Sequence, residues 1–278
     1  MVETVKKRSV LPIVGLVILL VGVAAFIVGV IMWKVGGVDQ YLKTESFSIK
    51  NQPMDGINDL EISIGAAELT VNKGGEKLEV IGENLPENEY AYGTQEGKFY
   101  IKRKNFVNFI FPSIVGLLTD KNTDPKVTIT VPDKLYNKVK IDIGAGKATV
   151  EGLTASDVDF NIGAGELNAK DMKVTEKLDI DVGTGKSSFE NFDCNKVKID
   201  SGVGKLDFSG SVYGGLEADC GIGQVDITLF GLSSDYDIDA ESGIGNVNIN
   251  RNSSGRGSIP VDIEGGIGEV NLTFKENK

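Results

Sequence analysis

The chain has no histidine and only two cysteines among its 278 residues. Histidine is the side chain most often used as a general base near neutral pH, and neutral imidazole is the commonest nitrogen ligand for zinc. No serine or cysteine stands in a recognisable nucleophile elbow, and no cluster has metal-ligand spacing. The sequence therefore assigns no catalytic, cofactor-binding or metal-binding residue, and the expectation is a protein that is not an enzyme. Carboxylates are abundant, and some β-solenoids use them as polysaccharide lyases or hydrolases. A carbohydrate-active enzyme is the remaining catalytic alternative, although no carboxylate pair stands out.

Positive charge is also scarce. There are 29 basic against 40 acidic residues, a net of −11. Setting aside Glu3, Lys6, Lys7 and Arg8 at the N-terminus leaves 26 and 39, a net of −13. That balance argues against nucleic acid and against an anionic membrane surface as partners. A solvated exterior is the simplest use of it. Outward aromatics are few, with Tyr213 and Tyr236 the turn candidates for a glycan-binding stripe.

Glycine, by contrast, is plentiful, with 35 copies. Many fall in one short phrase repeated seven times: Ile143-Gly-Ala-Gly146, Ile162-Gly-Ala-Gly165, Val182-Gly-Thr-Gly185, Ser201-Gly-Val-Gly204, Cys220-Gly-Ile-Gly223, Ser242-Gly-Ile-Gly245 and Gly265-Gly-Ile-Gly268. The first glycines are 19, 20, 19, 19, 22 and 23 residues apart. A fainter copy is Ile64-Gly-Ala-Ala67. A fixed period near 20 marks one structural unit stacked many times. Apolar residues alternate on both sides of each phrase, as in Val139, Ile141 and Ile143 before and Ala148 and Val150 after. Period two is a strand with one buried face. Each unit reads as strand, glycine corner, strand and connecting turn.

Such a unit cannot bury its apolar face alone. Stacked coils in parallel ladders spaced about 4.8 Å apart would make eight coils a rod on the order of 40 Å long. The fold class is all-β: a parallel, β-helix-like solenoid of about eight coils with an N-terminal transmembrane helix. Where the residue before the first corner glycine is large, the residue between the glycines is small, and the reverse also holds. This trade suggests that the two share one pocket in the core. Cys220 takes the inward corner position and Cys194 a connecting turn, which predicts two free thiols. Two residues before each first glycine stand Asp142, Asn161, Asp181, Asp200, Asp219, Glu241 and Glu264. Stacking would align them in an outward column whose repulsion cations or flanking Lys140 and Lys198 would relieve.

Val10 to Trp33 is an almost wholly apolar run without charge, long enough to cross a bilayer. Lys6, Lys7 and Arg8 precede it and only Lys34 follows. The positive-inside rule puts residues 1–9 in the cytoplasm, a single span at 10–33, a linker at 34–45 and residues 46–278 outside the cell membrane. A cleaved signal peptide is the rival, but its apolar core is shorter and no small-x-small site follows. The repeat is interrupted at about 82–125. Within that insertion lies the apolar segment Phe106 to Leu118, too short to span. It reads as a cap over the open end of the solenoid, as a lip touching a membrane or envelope partner, or as a disordered loop.

Gly183-Thr-Gly-Lys-Ser187 resembles the tail of a phosphate-binding loop, but position 180 is Ile where that motif needs glycine. No corner completes the dinucleotide pattern either; Thr149 stands where its third glycine would be.

Val127-Thr-Ile-Thr-Val-Pro132, then Val139-Lys-Ile-Asp-Ile-Gly-Ala-Gly146 and Glu151-Gly-Leu153, resemble the bacterial putative-adhesin family of glycine-corner β-repeat domains. The resemblance covers roughly Phe47 to Phe274. It implies a β-solenoid at the cell surface or anchored in the membrane, in some members similar to proteins encoded beside cell-envelope stress systems. It supplies no catalytic residues. Phe274-Lys-Glu-Asn-Lys278 carries no sorting signal, which favours work close to the membrane. The reading is a non-enzymatic, membrane-anchored extracellular solenoid that mediates protein or envelope contacts in envelope stress. The alternative is a surface adhesin for a glycan or host ligand.

Overall fold

The structure, a computed structural model, describes residues 44–86, 90–104 and 125–276. The expected membrane span at 10–33 with its flank 1–9, nearly all of the linker 34–45, and the Phe106 to Leu118 segment lie outside these residues. No helix among the described residues is long and apolar enough to cross a membrane.

Among the described residues eleven strands make one sheet: β1 (Thr44–Gln52), β2 (Asp59–Lys73), β3 (Leu78–Pro86), β4 (Tyr90–Gln95), β5 (Lys98–Arg103), β6 (Lys126–Val131), β7 (Leu135–Glu151), β8 (Thr154–Lys170), β9 (Lys173–Phe230), β10 (Tyr236–Asn250) and β11 (Ile259–Lys275). The long strands run straight through the glycine corners. They pair in parallel with like residue on like: Ile143 on Ile162, Ala145 on Ala164, Gly146 on Gly165. Strand β9 holds three coils in succession, with Gly202 over Gly183 and Gly221 over Gly202. The faint copy is a true coil. In β2, Ile64 pairs with Ile143 and Ala66 with Ala145 across the interruption. This is the β-solenoid that the period implies.

Alternation fills the interior. Val139, Ile141, Val158, Phe160, Leu178 and Ile180 are among the buried apolar residues that stack coil on coil. Phe160, Phe189, Phe192 and Phe208 form a ring ladder with successive centroids 5.6, 5.8 and 6.0 Å apart, a range in which aromatic pairs add to area burial. The far turns of three successive coils take a left-handed residue, Gly152, Asp171 and Asn191 (φ 77°, 55° and 58°), all types that tolerate it. Cys194 is therefore not in a turn as expected. Asn191 makes the bend, and Cys194 points into the core.

The insertion closes one end. β5 and β6 add in parallel to the two halves of β2. β3 then adds antiparallel to β6, and β1 antiparallel to β3. Phe47 and Ile49 alternate with polar residues as a coil strand does, but they do not belong to the first coil: β1 is the outermost strand of this cap. β4 and β5 form a hairpin whose turn, Glu96-Gly97, has positive φ at both positions, as the tight two-residue hairpin turn demands.

The other end departs from sequence order. β11 pairs with the last coil of β9, and β10 pairs with β11. The chain skips one level after Phe230, builds β10, and returns through residues 251–258 to lay β11 in the gap. Its last long strand is therefore sandwiched, and β10 is the terminal coil.

Corner glycines are held by crowding. A Cβ on Gly223, at φ 143°, would fall on the backbone of Gly204 in the coil below. Gly56 also has positive φ, 70°, but nothing lies within 4 Å of such a Cβ. Gly223→Ala is expected to destabilise by roughly 2–4 kcal/mol and Gly56→Ala by about 1–2 kcal/mol. Urea midpoints measure both; equal losses would mean that the corner stack is looser than described.

Candidate interaction surface at the glycine corner

The corner has two faces. The residue before the first glycine points inward, and Ile143, Ile162 and Val182 are buried there. The residue between the glycines does not join it in the core. Val203 is 46% exposed, Ile222 51%, Ile267 49% and Ile244 76%. The expected shared pocket exists only at the rim. A cavity of about 10 Å³ lies among Ser201, Cys220, Gly265, Ile222 and Ile267, so the isoleucines lean over the space left by small inward residues while half their surface stays outside. Gly202 and Val203 both lie outside, as do Gly221 and Ile222, so the in–out phase of the chain changes at the corner, which strict alternation could not foresee.

Register makes these residues a ridge. Ile222 pairs with Ile267, and Ile267 with Ile244. Val203 lies one coil below Ile222 and Thr184 one below that. The column is small or polar over the early coils and apolar over the last four.

A family model for the Toastrack DUF4097 domain matches residues 57–278, most of the chain. The chain belongs to the Toastrack DUF4097 family. Solved structures similar to the chain include a putative cell adhesion protein from Clostridium sporogenes (19% identity, TM-score 0.36, 84% of this chain and 100% of that one). A putative adhesin from Bacteroides fragilis (13%, 0.44, 83% and 97%) and a putative lipid binding protein from Parabacteroides distasonis (11%, 0.39, 82% and 96%) also match. No curated protein matches the chain.

Beside the ridge of this Toastrack stack, on the arm entering the corner, runs the acidic column. Its order follows the coils: Asp142, Asn161, Asp181, Asp200, Asp219, Glu264, Glu241. Over the early coils it is relieved by neighbours. Asn161 donates to Asp142 at 2.8 Å, Lys140 lies 3.6 Å from Asp142, and Lys198 lies 3.7 Å from Asp200. Further along, from Asp200 to Glu241, carboxylate follows carboxylate. The Asp219 carboxyl is held above its ordinary range by burial first, then by a hydrogen bond with Asp200 and by the charges of Asp200 and Glu264. Among the described residues, no group of three or more acidic or cysteine side chains is placed to hold a metal ion.

The arm leaving the corner is different. There acids alternate with amides and lysines. Asp226 accepts from Asn271 at 2.8 Å and from Gln224 at 2.8 and 3.0 Å, and Lys205 lies 3.2 Å away. Burial alone would raise its carboxyl, but these donors outweigh it and hold Asp226 low.

Two candidates from the sequence change character. Tyr236 is not an outward aromatic: it is 3% exposed, and its hydroxyl donates to the Val212 carbonyl. Tyr213 is outward, at 60% exposure. Both cysteines are free. Burial, with Asp193 and Asp219 adding to it, pushes the Cys194 thiol up to about 12 and the Cys220 thiol up to about 11. A thiol so placed is almost wholly protonated at neutral pH and reacts slowly.

Asp219 sets a pH test. Its folded form holds a proton more tightly than the unfolded chain. Its contribution is therefore fully present below the ordinary carboxylate pKa and is lost as pH rises through the raised folded value. Asp219→Asn is expected to raise the urea midpoint at pH 7, with the advantage shrinking through the acidic range and in high salt. An unchanged midpoint at pH 7 would contradict the crowding.

Proposed function

We propose that this Toastrack protein is a non-enzymatic contact module of the cell envelope. It is held by a single span at 10–33 with its N-terminus in the cytoplasm and its solenoid outside, and it serves in the envelope stress response. The observation that carries this reading is the ridge of Val203, Ile222, Ile267 and Ile244. Contiguous exposed apolar side chains mark an interaction site, and β-branched residues locked in a ladder offer a rigid face that loses little entropy on binding. The partner is an envelope protein with an apolar groove to receive the ridge and basic groups to meet Asp200, Asp219 and Glu264 beside it. A catalytic role is disfavoured because those carboxylates lie on an open edge rather than around an enclosed cleft. The adhesin alternative asked for a stripe of exposed aromatics; burial of Tyr236 leaves Tyr213 alone in that part of the chain.

The test is a photo-crosslinking amino acid at Ile222 in intact cells, with Thr184 in the polar part of the same column as control. A discrete adduct with another envelope protein from position 222 and not from 184 is expected. No adduct, or the same adduct from both, would overturn the ridge as the contact face.

A further inference from the structure

The terminal coil carries an unfinished edge. Strand β10 pairs with β11 on one side, and among the described residues no strand pairs with its other side. Its inward residues Ile238, Ala240, Val247 and Ile249 are only partly buried, whereas their partners in the next coil, Val261, Ile263, Val270 and Leu272, are fully so. A parallel strand 15 residues long with open backbone groups and half-covered core is an edge that proteins normally cap or pair. The opposite end of the stack is capped by antiparallel addition of β3 and β1.

The sequence of β10 is lopsided about its corner. The outward residues of the entering arm are all acidic: Asp237, Asp239 and Glu241. Those of the leaving arm are all amides: Asn246, Asn248 and Asn250. A third strand stacked in parallel would continue acid on acid. A strand laid antiparallel with its corner over this corner brings the entering arm of one against the leaving arm of the other. If that strand is a second β10, every acid faces an amide donor and every inward apolar residue faces another. The same acid–amide pairing between coils already operates within the molecule: Asn161 on Asp142 at 2.8 Å, Asn271 on Asp226 at 2.8 Å and Asn248 on Glu269 at 2.9 Å.

The change of phase at the corner makes the match geometrically sound. Inward residues are even-numbered before it (238, 240) and odd-numbered after it (247, 249). A two-fold axis along the bisector of the corner exchanges the arms and keeps inside facing inside. We propose that two copies of this chain join end to end through β10 about that axis, an isologous antiparallel seam that continues the sheet and covers the open core. The seam also brings the two Ile244 side chains, the most exposed apolar residues of the ridge, together at the axis.

The test uses the full chain in detergent micelles, in two measurements. Under mild oxidation, Ile244→Cys is expected to give a disulfide-linked pair of chains. Ile222→Cys, half exposed but two coils from the end, should not, and nor should the native chain with its buried Cys194 and partly buried Cys220. Sedimentation should show a dimer at micromolar concentration. Asn246→Asp, which sets acid against acid across the seam, should weaken it roughly tenfold or more, while Asn246→Lys retains it. A monomer throughout, equal crosslinking at 222 and 244, or a dimer indifferent to Asn246→Asp and silent at 244 would overturn the proposal. The last result would assign dimerisation to the 10–33 segment.

Discussion

Everything in this solenoid depends on how closely one backbone passes another at the glycine corners. At Gly165, Gly185, Gly204, Gly223 and Gly268 an added Cβ would collide with a main-chain atom of a glycine one coil away. That approach lets the chain turn without leaving the parallel ladder. Interior rows, ring ladder and acidic column all follow from it, because each is one position of the repeat carried through successive coils. Charge is the opposing constraint. Identical register puts like on like, so charged positions are relieved where amides or lysines intervene, as they do on the arm leaving the corner. On the arm entering the corner Asp219 stands between Asp200 and Glu264, and burial first, then these carboxylates, make it hold its proton unusually well.

Much of this was legible in the chain itself. The 20-residue spacing, the alternation and the corner phrase led to the parallel stack, and the faint Ile64-Gly-Ala-Ala67 copy fell in register as its residues implied. The acidic column was visible because its members share one offset from the first glycine. Three features were hidden. The outward set of Val203, Ile222, Ile244 and Ile267 depends on the backbone path through the corner, which a pattern of apolar letters does not encode. The burial of Tyr236 depends on the reach of its hydroxyl to Val212 in another coil. The cap strand β1 resembled a coil because an antiparallel edge strand alternates just as a parallel one does.

The exchange of β10 and β11 was hidden for a deeper reason. When every coil presents nearly the same corner, local sequence cannot say which coil lies on which. The only trace is in the connections. The last two intervals are 22 and 23 residues where earlier ones are 19 or 20, and those extra residues let the chain climb past one level and return. The result buries the C-terminal strand between two others and leaves β10, with its divided acid and amide arms, as the face the molecule presents at that end.

The order of the last coils is the claim on which the ridge and the terminal edge both stand. Methyl-labelled isoleucine in a nuclear Overhauser experiment reads it directly, since adjacent coils place like methyls about 5 Å apart and the next coil twice that. The structure predicts cross-peaks between Ile222 and Ile267 and between Ile267 and Ile244, with none between Ile222 and Ile244. A direct Ile222–Ile244 cross-peak, with Ile267 beyond Ile244, would mean that the coils stack in sequence order and would contradict the account.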